Sequence, residues 1–528
     1  MTYWNAKKRH DVTRLTAAAI AVAALLLPAL SYAATPGITG TIFNLVASPI
    51  YITQPDGAMI YSWGYGCATG FTPSYLPPQF ASVGFCRAGQ VPGPTLIVTE
   101  GQTVTVNLTN NLPAPVGNTS IVFQGFQVTT GGGTPGLITS EAAHGGSVSY
   151  TFVATTPGTH AYYSGTKPDL QIEMGLYGAV VVKPNTVPAG CSAIGSDTQL
   201  LGHPDYRLAA SAYDHPATCY DREYLFQFME LDPRIHKQAE QQVQAIASCV
   251  PTAGGLPCPT TLEVKTEPYH PSYYLINGRS MPDDMDADYA PNYPNQPYNG
   301  NPHMHPGDLV LVRTIGQGRW EHPFHEHGNH VRILARDGNL ILSQTDSAKL
   351  GGRMEFTTDT YPGQSYDGIF YWSGKGLGWD IYGHTPANAG NPPCVPDSNG
   401  YYTAASGAPL SAPNYYEWCA DHNHPLEANP VGHVGGGGPA TLFDPLIAAN
   451  GLWYNGTPYL GPDAVNRSRG PTPLPPVKST MNPLEESGIA FMWHSHNERE
   501  ITTNDVFPGG MLMMMLVDPP VFFIDETL

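Results

Sequence analysis

The stretch Thr103–Asn110 sets the first limit on what this chain can fold into. Val104, Val106 and Leu108 alternate there with polar residues, the pattern of a strand with one buried face. Gly307–Arg313 reads the same way, and Glu223–Glu230 reads as a further strand. One stretch alone has convincing helical spacing, near Pro233–Ser248, where Ile235, Ala239, Val243 and Ile246 recur. With 57 glycines and 52 prolines punctuating the chain, turns outnumber long helical patterns. The expectation is an all-β fold with large loops.

The N-terminus reads as a targeting segment. Lys7, Lys8, Arg9 and Arg14 precede an apolar run from Leu15 to Leu30, and Ser31-Tyr32-Ala33 ends it with small residues. This is the pattern of a secretory signal peptide over residues 1–33; an uncleaved anchor is the alternative. No later apolar run is long enough to span a bilayer. Cleavage leaves roughly 490 residues, more than one ordinary domain. The net charge is −19 before cleavage, and loss of the basic leader makes it more negative. Such a chain is a poor partner for nucleic acid or anionic membranes. All eight cysteines lie in the exported part, and an even count there suggests disulfides. Neighbour pairing (67–86, 191–219, 249–258, 394–419) is the simplest arrangement, because each loop is short.

Chemistry concentrates in two histidine stretches, Glu321–His330 and Trp493–His496. Residues two apart in a strand face one side. His325 and His327 therefore share a face, as do His494 and His496, while Ser495 points the other way. Imidazoles converging from two strands suit copper, zinc, iron or nickel. A hydrogen-bonded histidine cluster without metal is the structural alternative. Glu498 and Glu326 are candidates to orient the imidazoles.

The wider punctuation carries a resemblance. Pro92-Gly93-Pro94, Glu100-Gly101-Gln102, Pro157-Gly158-Thr159 and Gly175-Leu176-Tyr177-Gly178-Ala179 occur in that order around alternating strands. The succession resembles the first cupredoxin domain of multicopper oxidases. Asn277-Gly278, Gly307-Asp308, His322-Pro323-Phe324-His325, Asp337-Gly338 and Pro362-Gly363-Gln364 resemble another domain of that family. The resemblance implies two Greek-key β-sandwich domains, at 37–185 and at 221–372 with 488–522, joined by a linker at 186–220. Residues 373–487 interrupt the second as a loop-rich insertion. Its His384, His422, His424 and His433 are scattered loop residues or a second metal site.

In the family, the last domain's His-Pro-x-His-x-His and His-Cys-His motifs hold copper. The first histidine, the cysteine, a later histidine and often a methionine bind type 1 copper; the other histidines bind a trinuclear cluster. Carried over, His322 takes the type 1 position, and His325, His327, His494 and His496 take cluster positions. Ser495 replaces the cysteine, and Glu500 stands where the later histidine belongs. Met511 is the candidate axial ligand, although Met511, Met513 and Met515 alternate as core residues do. The first domain departs further: Val122, Gln124, Tyr163 and Gly165 stand where its four histidines belong. Gln124 and Tyr163 are expected to line the emptied half of the site. His144 and His160 are off the ligand positions, with a surface or strand-edge role expected. His303 and His305 read as exposed loop residues or an accessory site.

The expectation is an exported copper protein, periplasmic, cell-surface or extracellular, without type 1 copper and with fewer ions than a full multicopper oxidase. Its partners would be a metal ion or small-molecule substrate, with a homotrimer as one assembly. Two functions stay open: an oxidoreductase acting on metal ions or small phenols, and a non-catalytic copper-binding, surface or assembly protein.

Overall fold

The structure, a computed structural model, describes residues 35–192, 199–200, 203–204, 210–251, 256–375, 395–409, 418–421, 441–442, 456–458, 468–469, 489–518 and 524. The expected leader and most of the 373–487 segment, with His384, His422, His424 and His433, lie outside the described residues. Residues Tyr32–Leu528 belong to one compact unit.

The fold is all-β, with two cupredoxin-like sandwiches. In the first, a six-stranded sheet containing Leu96–Thr99 and Tyr177–Lys183 packs on a five-stranded sheet containing Thr103–Asn110. Thr103–Asn110 pairs antiparallel with Ser147–Val153 and parallel with Ile42–Thr53. Val104, Val106 and Leu108 are wholly buried, as their alternation requires. Trp63, Tyr65, Phe123, Tyr150 and Tyr162 complete that core.

The second sandwich joins a seven-stranded sheet, with Arg222–Leu231 parallel to Leu309–Gly316, to a six-stranded sheet. The latter sets His322–Glu326 between Thr357–Thr360 and Ile489–Ser495, with Leu512–Val517 beyond. Met511, Met513 and Met515 are fully buried among Phe324, Phe370 and Trp493, and Met513 stands opposite Trp493. They fill the core, as alternation in a strand predicts.

The helix Pro233–Ala247 is where sequence reading placed it. Asp232 caps it by accepting from the Arg234 N–H at 3.0 Å, and Pro233 opens the first turn. Its stripe does not pack on its own sandwich. Ile235 and Ala239 are buried in the first sandwich's core, with Val243 and Ile246 against it. Chain that follows a second-domain strand thus completes the first domain.

The two sandwiches meet over small residues, Ala161 and Ala179 against Leu225 and Ile315. Beside them Asp367 accepts from Thr159 Oγ1 and Tyr213 OH, each at 2.5 Å. Arg313 reaches Asp367 at 3.3 Å and donates to Glu223 at 2.7 Å. All of these groups are buried, so the charge of Arg313 is matched where water does not reach it.

Disulfides join Cys67–Cys86, Cys191–Cys219 and Cys249–Cys258, as expected. Cys419 is also disulfide-bonded; its expected partner Cys394 lies outside the described residues. Among the described residues, no helix is long and apolar enough to cross a membrane.

Candidate metal centre

Cross-strand register builds the site. His325 stands opposite His494, and Phe324 opposite Ser495. Alternation turns Phe324 and Trp493 into the core and leaves His325 and His494 on the outer face. The His496 N–H donates to the Pro323 carbonyl at 2.7 Å, which holds the two histidine stretches together beyond the ladder. His327 follows the strand; its N–H donates to the Met492 carbonyl at 3.2 Å, and its carbonyl accepts from Trp493 Nε1 at 2.9 Å. The chain then turns at Gly328, where φ is +102° and a Cβ would meet the Phe491 ring at 2.9 Å.

Three of the predicted histidines converge closely. One nitrogen each from His325, His327 and His494 lies within 4.8 Å of the others. Nε2 of His327 and Nε2 of His494 are 3.2 Å apart. Two imidazole nitrogens, each about 2.0–2.1 Å from one ion at a tetrahedral angle, would be separated by roughly that distance. The ring of His496 completes the group, 4.9 Å from that of His325 and 5.5 Å from that of His494.

The other ring nitrogens are occupied in a way that suits ligation. Nδ1 of His325 meets Thr357 Oγ1 at 2.7 Å, and Nδ1 of His494 meets the Ser495 carbonyl at 2.7 Å. A carbonyl accepts only, so His494 carries its proton on Nδ1 and offers Nε2. Burial, and then the neighbouring His494 and His496, push the His325 pKa down to about 4. Burial is also the main cause holding His494 below its ordinary range. Both rings are therefore neutral near pH 7, the form that binds a cation.

His322 belongs to a different place. It lies on the core side of its strand, fully buried. Its Nδ1 is 2.8 Å from Glu500 Oε2 and its Nε2 is 3.0 Å from Glu230 Oε2. The structure thus separates His322 from the other four, and neither of its nitrogens is free. Burial pushes this imidazole down, but the hydrogen bonds and charges of Glu230 and Glu500 outweigh it, raising the pKa to about 9. Ser495 Oγ donates to Glu500 Oε2 at 2.5 Å, and Asn497 Nδ2 to Glu500 Oε1 at 3.0 Å.

Other expected residues fall elsewhere. Gln124 and Tyr163 both approach Gly363, three residues past the Thr360 that pairs with His322. Val122 packs beside Gly165 within the first domain. Glu326 is buried on the opposite face and accepts from Thr358 Oγ1 at 3.0 Å, so it orients no imidazole of the cluster. Glu498 lies 3.5 Å from His496 Nδ1, in an exposed pair. His160 is not at the surface: it is buried, its ring lies tilted 4.6 Å from that of Phe126, and it bonds the Thr156 carbonyl at 2.9 Å. His144, exposed as expected, reaches the Leu112 carbonyl at 2.7 Å. His303 is tied to Asp518 at 2.6 Å, and buried His305 accepts from Arg222 at 3.2 Å. Thr357 is a residue the sequence did not single out. Its one signal is alternation, which puts it on the same face as His325.

The multicopper oxidase family model matches residues 80–187. A multicopper oxidase of Talaromyces pinophilus is 36% identical over 117 residues, 21% of this chain and 19% of its own length. A laccase of Aspergillus fumigatus is 36% identical over 99 residues, 18% of this chain and 16% of its own. The chain therefore spans less than a fifth of the length of these curated relatives. Among solved structures, a multicopper oxidase called mgLAC aligns over 90% of this chain and 86% of its own, at 15% identity and a TM-score of 0.46. A blue copper oxidase from Nitrosomonas europaea aligns over 90% and 85%, at 14% identity and a TM-score of 0.44.

Proposed function

We propose that this chain, a member of the multicopper oxidase superfamily, is an exported protein that holds copper or another transition metal on His325, His327, His494 and His496. Its proposed activity is oxidoreduction of metal ions or small phenols. The observation that carries the reading is the convergence of three imidazole nitrogens within 4.8 Å, with a fourth ring beside them. Copper in such a site would supply one-electron redox chemistry. The chain's own part is to position the rings. Thr357 and the Ser495 carbonyl fix two of them, and Trp493 anchors the backbone of His327. The His496 side chain, 52% exposed, gives access from solvent.

The donor set fits neither a type 1 copper nor a full trinuclear cluster. Ser495 supplies no soft thiolate, and both nitrogens of His322 are engaged by carboxylates. In the first domain Val122, Gln124, Tyr163 and Gly165 offer no imidazole. The proposal is accordingly a reduced centre of one or two ions. The second reading, a non-catalytic copper binder on the same scaffold, is favoured by Ser495, which leaves no thiolate beside the histidine pair.

Metal analysis of protein purified without added metal, repeated on His325→Ala/His494→Ala, tests the centre. Unchanged metal content in the variant would sink it. Oxygen uptake with phenols or Mn(II) then separates oxidoreductase from binder. Export and a homotrimer are part of the proposal; cell fractionation and sedimentation test them.

A further inference from the structure

The pocket around His322 has a chemistry of its own. A carboxylate only accepts, so a ring nitrogen that meets one must carry a proton. His322 meets one on each edge, Glu500 at Nδ1 and Glu230 at Nε2, at 2.8 and 3.0 Å. All three side chains are fully buried. Because the two carboxylates stand on opposite edges of the ring, one metal ion cannot take a ring nitrogen together with both of them.

The remaining oxygens are occupied as well. Glu230 Oε1 accepts from the N–H groups of Arg319 and Trp320 at 2.7 and 3.0 Å and from Tyr269 OH at 3.2 Å. Glu500 accepts from Ser495 Oγ at 2.5 Å and Asn497 Nδ2 at 3.0 Å. Tyr269 also donates to Glu173 of the first domain at 2.8 Å, and Glu173 faces His236 at 3.7 Å. Phe228 covers the His322 ring, with ring centroids 6.4 Å apart.

We infer that this pocket is a closed ion triad, in which a doubly protonated His322 bridges Glu230 and Glu500 and a proton fills the position where the resemblance places a type 1 copper. The triad satisfies its charge by hydrogen bonds at every carboxylate oxygen and excludes metal. Restoring the thiolate alone leaves His322 committed and a carboxylate at Glu500, so it does not recreate a blue site.

The full-length protein with 15N-labelled histidine, observed by NMR at pH 7.5, tests the triad. His322 is assigned by the signal lost in His322→Gln and displaced in Glu500→Gln. Both of its ring nitrogens should be in the protonated form and should stay unmoved on addition of one equivalent of Zn(II). A non-protonated nitrogen in His322, or a His322 signal that moves with the first equivalent of Zn(II), overturns the inference. Failure of the His325 and His494 signals to respond counts against the metal centre and leaves the triad standing. Independently, Ser495→Cys loaded with Cu(II) should show no intense thiolate-to-copper absorption; its appearance overturns the inference.

Discussion

His325 and His494 face each other across adjacent antiparallel strands, 5.5 Å between ring centroids, although 169 residues part them in the chain. The cross-strand pair fixes the site's width, and the same ladder places Ser495 opposite Phe324. A one-residue slip of either strand would carry its own member of that pair to the core face.

Thr357 orients one half of that pair. Thr357→Val removes the hydroxyl at His325 Nδ1 and keeps the strand. Metal affinity is expected to fall about 10–100-fold, the usual effect of removing a group that orients a ligand histidine. A competition titration with a chromophoric chelator reads it. An unchanged affinity would mean that Thr357 does not orient the ring.

Acid should release the metal late. His325 has its pKa pushed down to about 4, and His494 is lowered too. Protons compete with metal only below the pKa of each ring. Metal content is therefore expected to hold between pH 7 and about 5, then to fall as pH approaches about 4. Dialysis at stepped pH, with metal analysis at each step, measures the midpoint; a midpoint above about 6 contradicts the prediction.

At the alkaline side the controlling group is His322. Its pKa in the folded chain is raised to about 9, against about 6.5 in an unfolded one. Its contribution to stability is complete below about pH 6.5 and is lost as pH rises through 9, on the order of 3 kcal/mol. Urea unfolding from pH 6 to 10 should show this loss in the wild type and a flatter profile in His322→Gln.

Asp367→Ala should weaken the domain interface. It leaves Arg313 with Glu223 as its one carboxylate partner among the described residues and removes the acceptor for Thr159 and Tyr213. Breaking a buried charged network in this way costs about 3–5 kcal/mol. Differential scanning calorimetry is expected to show a lower midpoint, with metal content retained.

Alternation made much of the architecture legible. Val104, Val106 and Leu108, the methionines of the last strand and the shared faces of His325 with His327 and of His494 with His496 all follow from the period of two. The helix at Pro233–Ala247 was equally plain, but its destination was not, because periodicity marks an apolar stripe and not the surface that covers it. The partners of His322 were illegible for a similar reason. Glu230 lies 92 residues upstream, in a strand that reads as ordinary sheet, and only folding brings it to the imidazole. Gln124 and Tyr163 both come to the Gly363 turn, a contact that no periodicity marks.

The excursion of the helix has a consequence for any attempt to divide the molecule. Ile235, Ala239 and Leu262 are built into the core of a sandwich whose own strands end at Lys183. A fragment stopping near residue 192 would therefore be missing part of its own interior. Conversely, a fragment beginning at Arg222 would expose that apolar stripe to water. The two halves are not interchangeable modules, and severing the link between them yields neither as a finished protein.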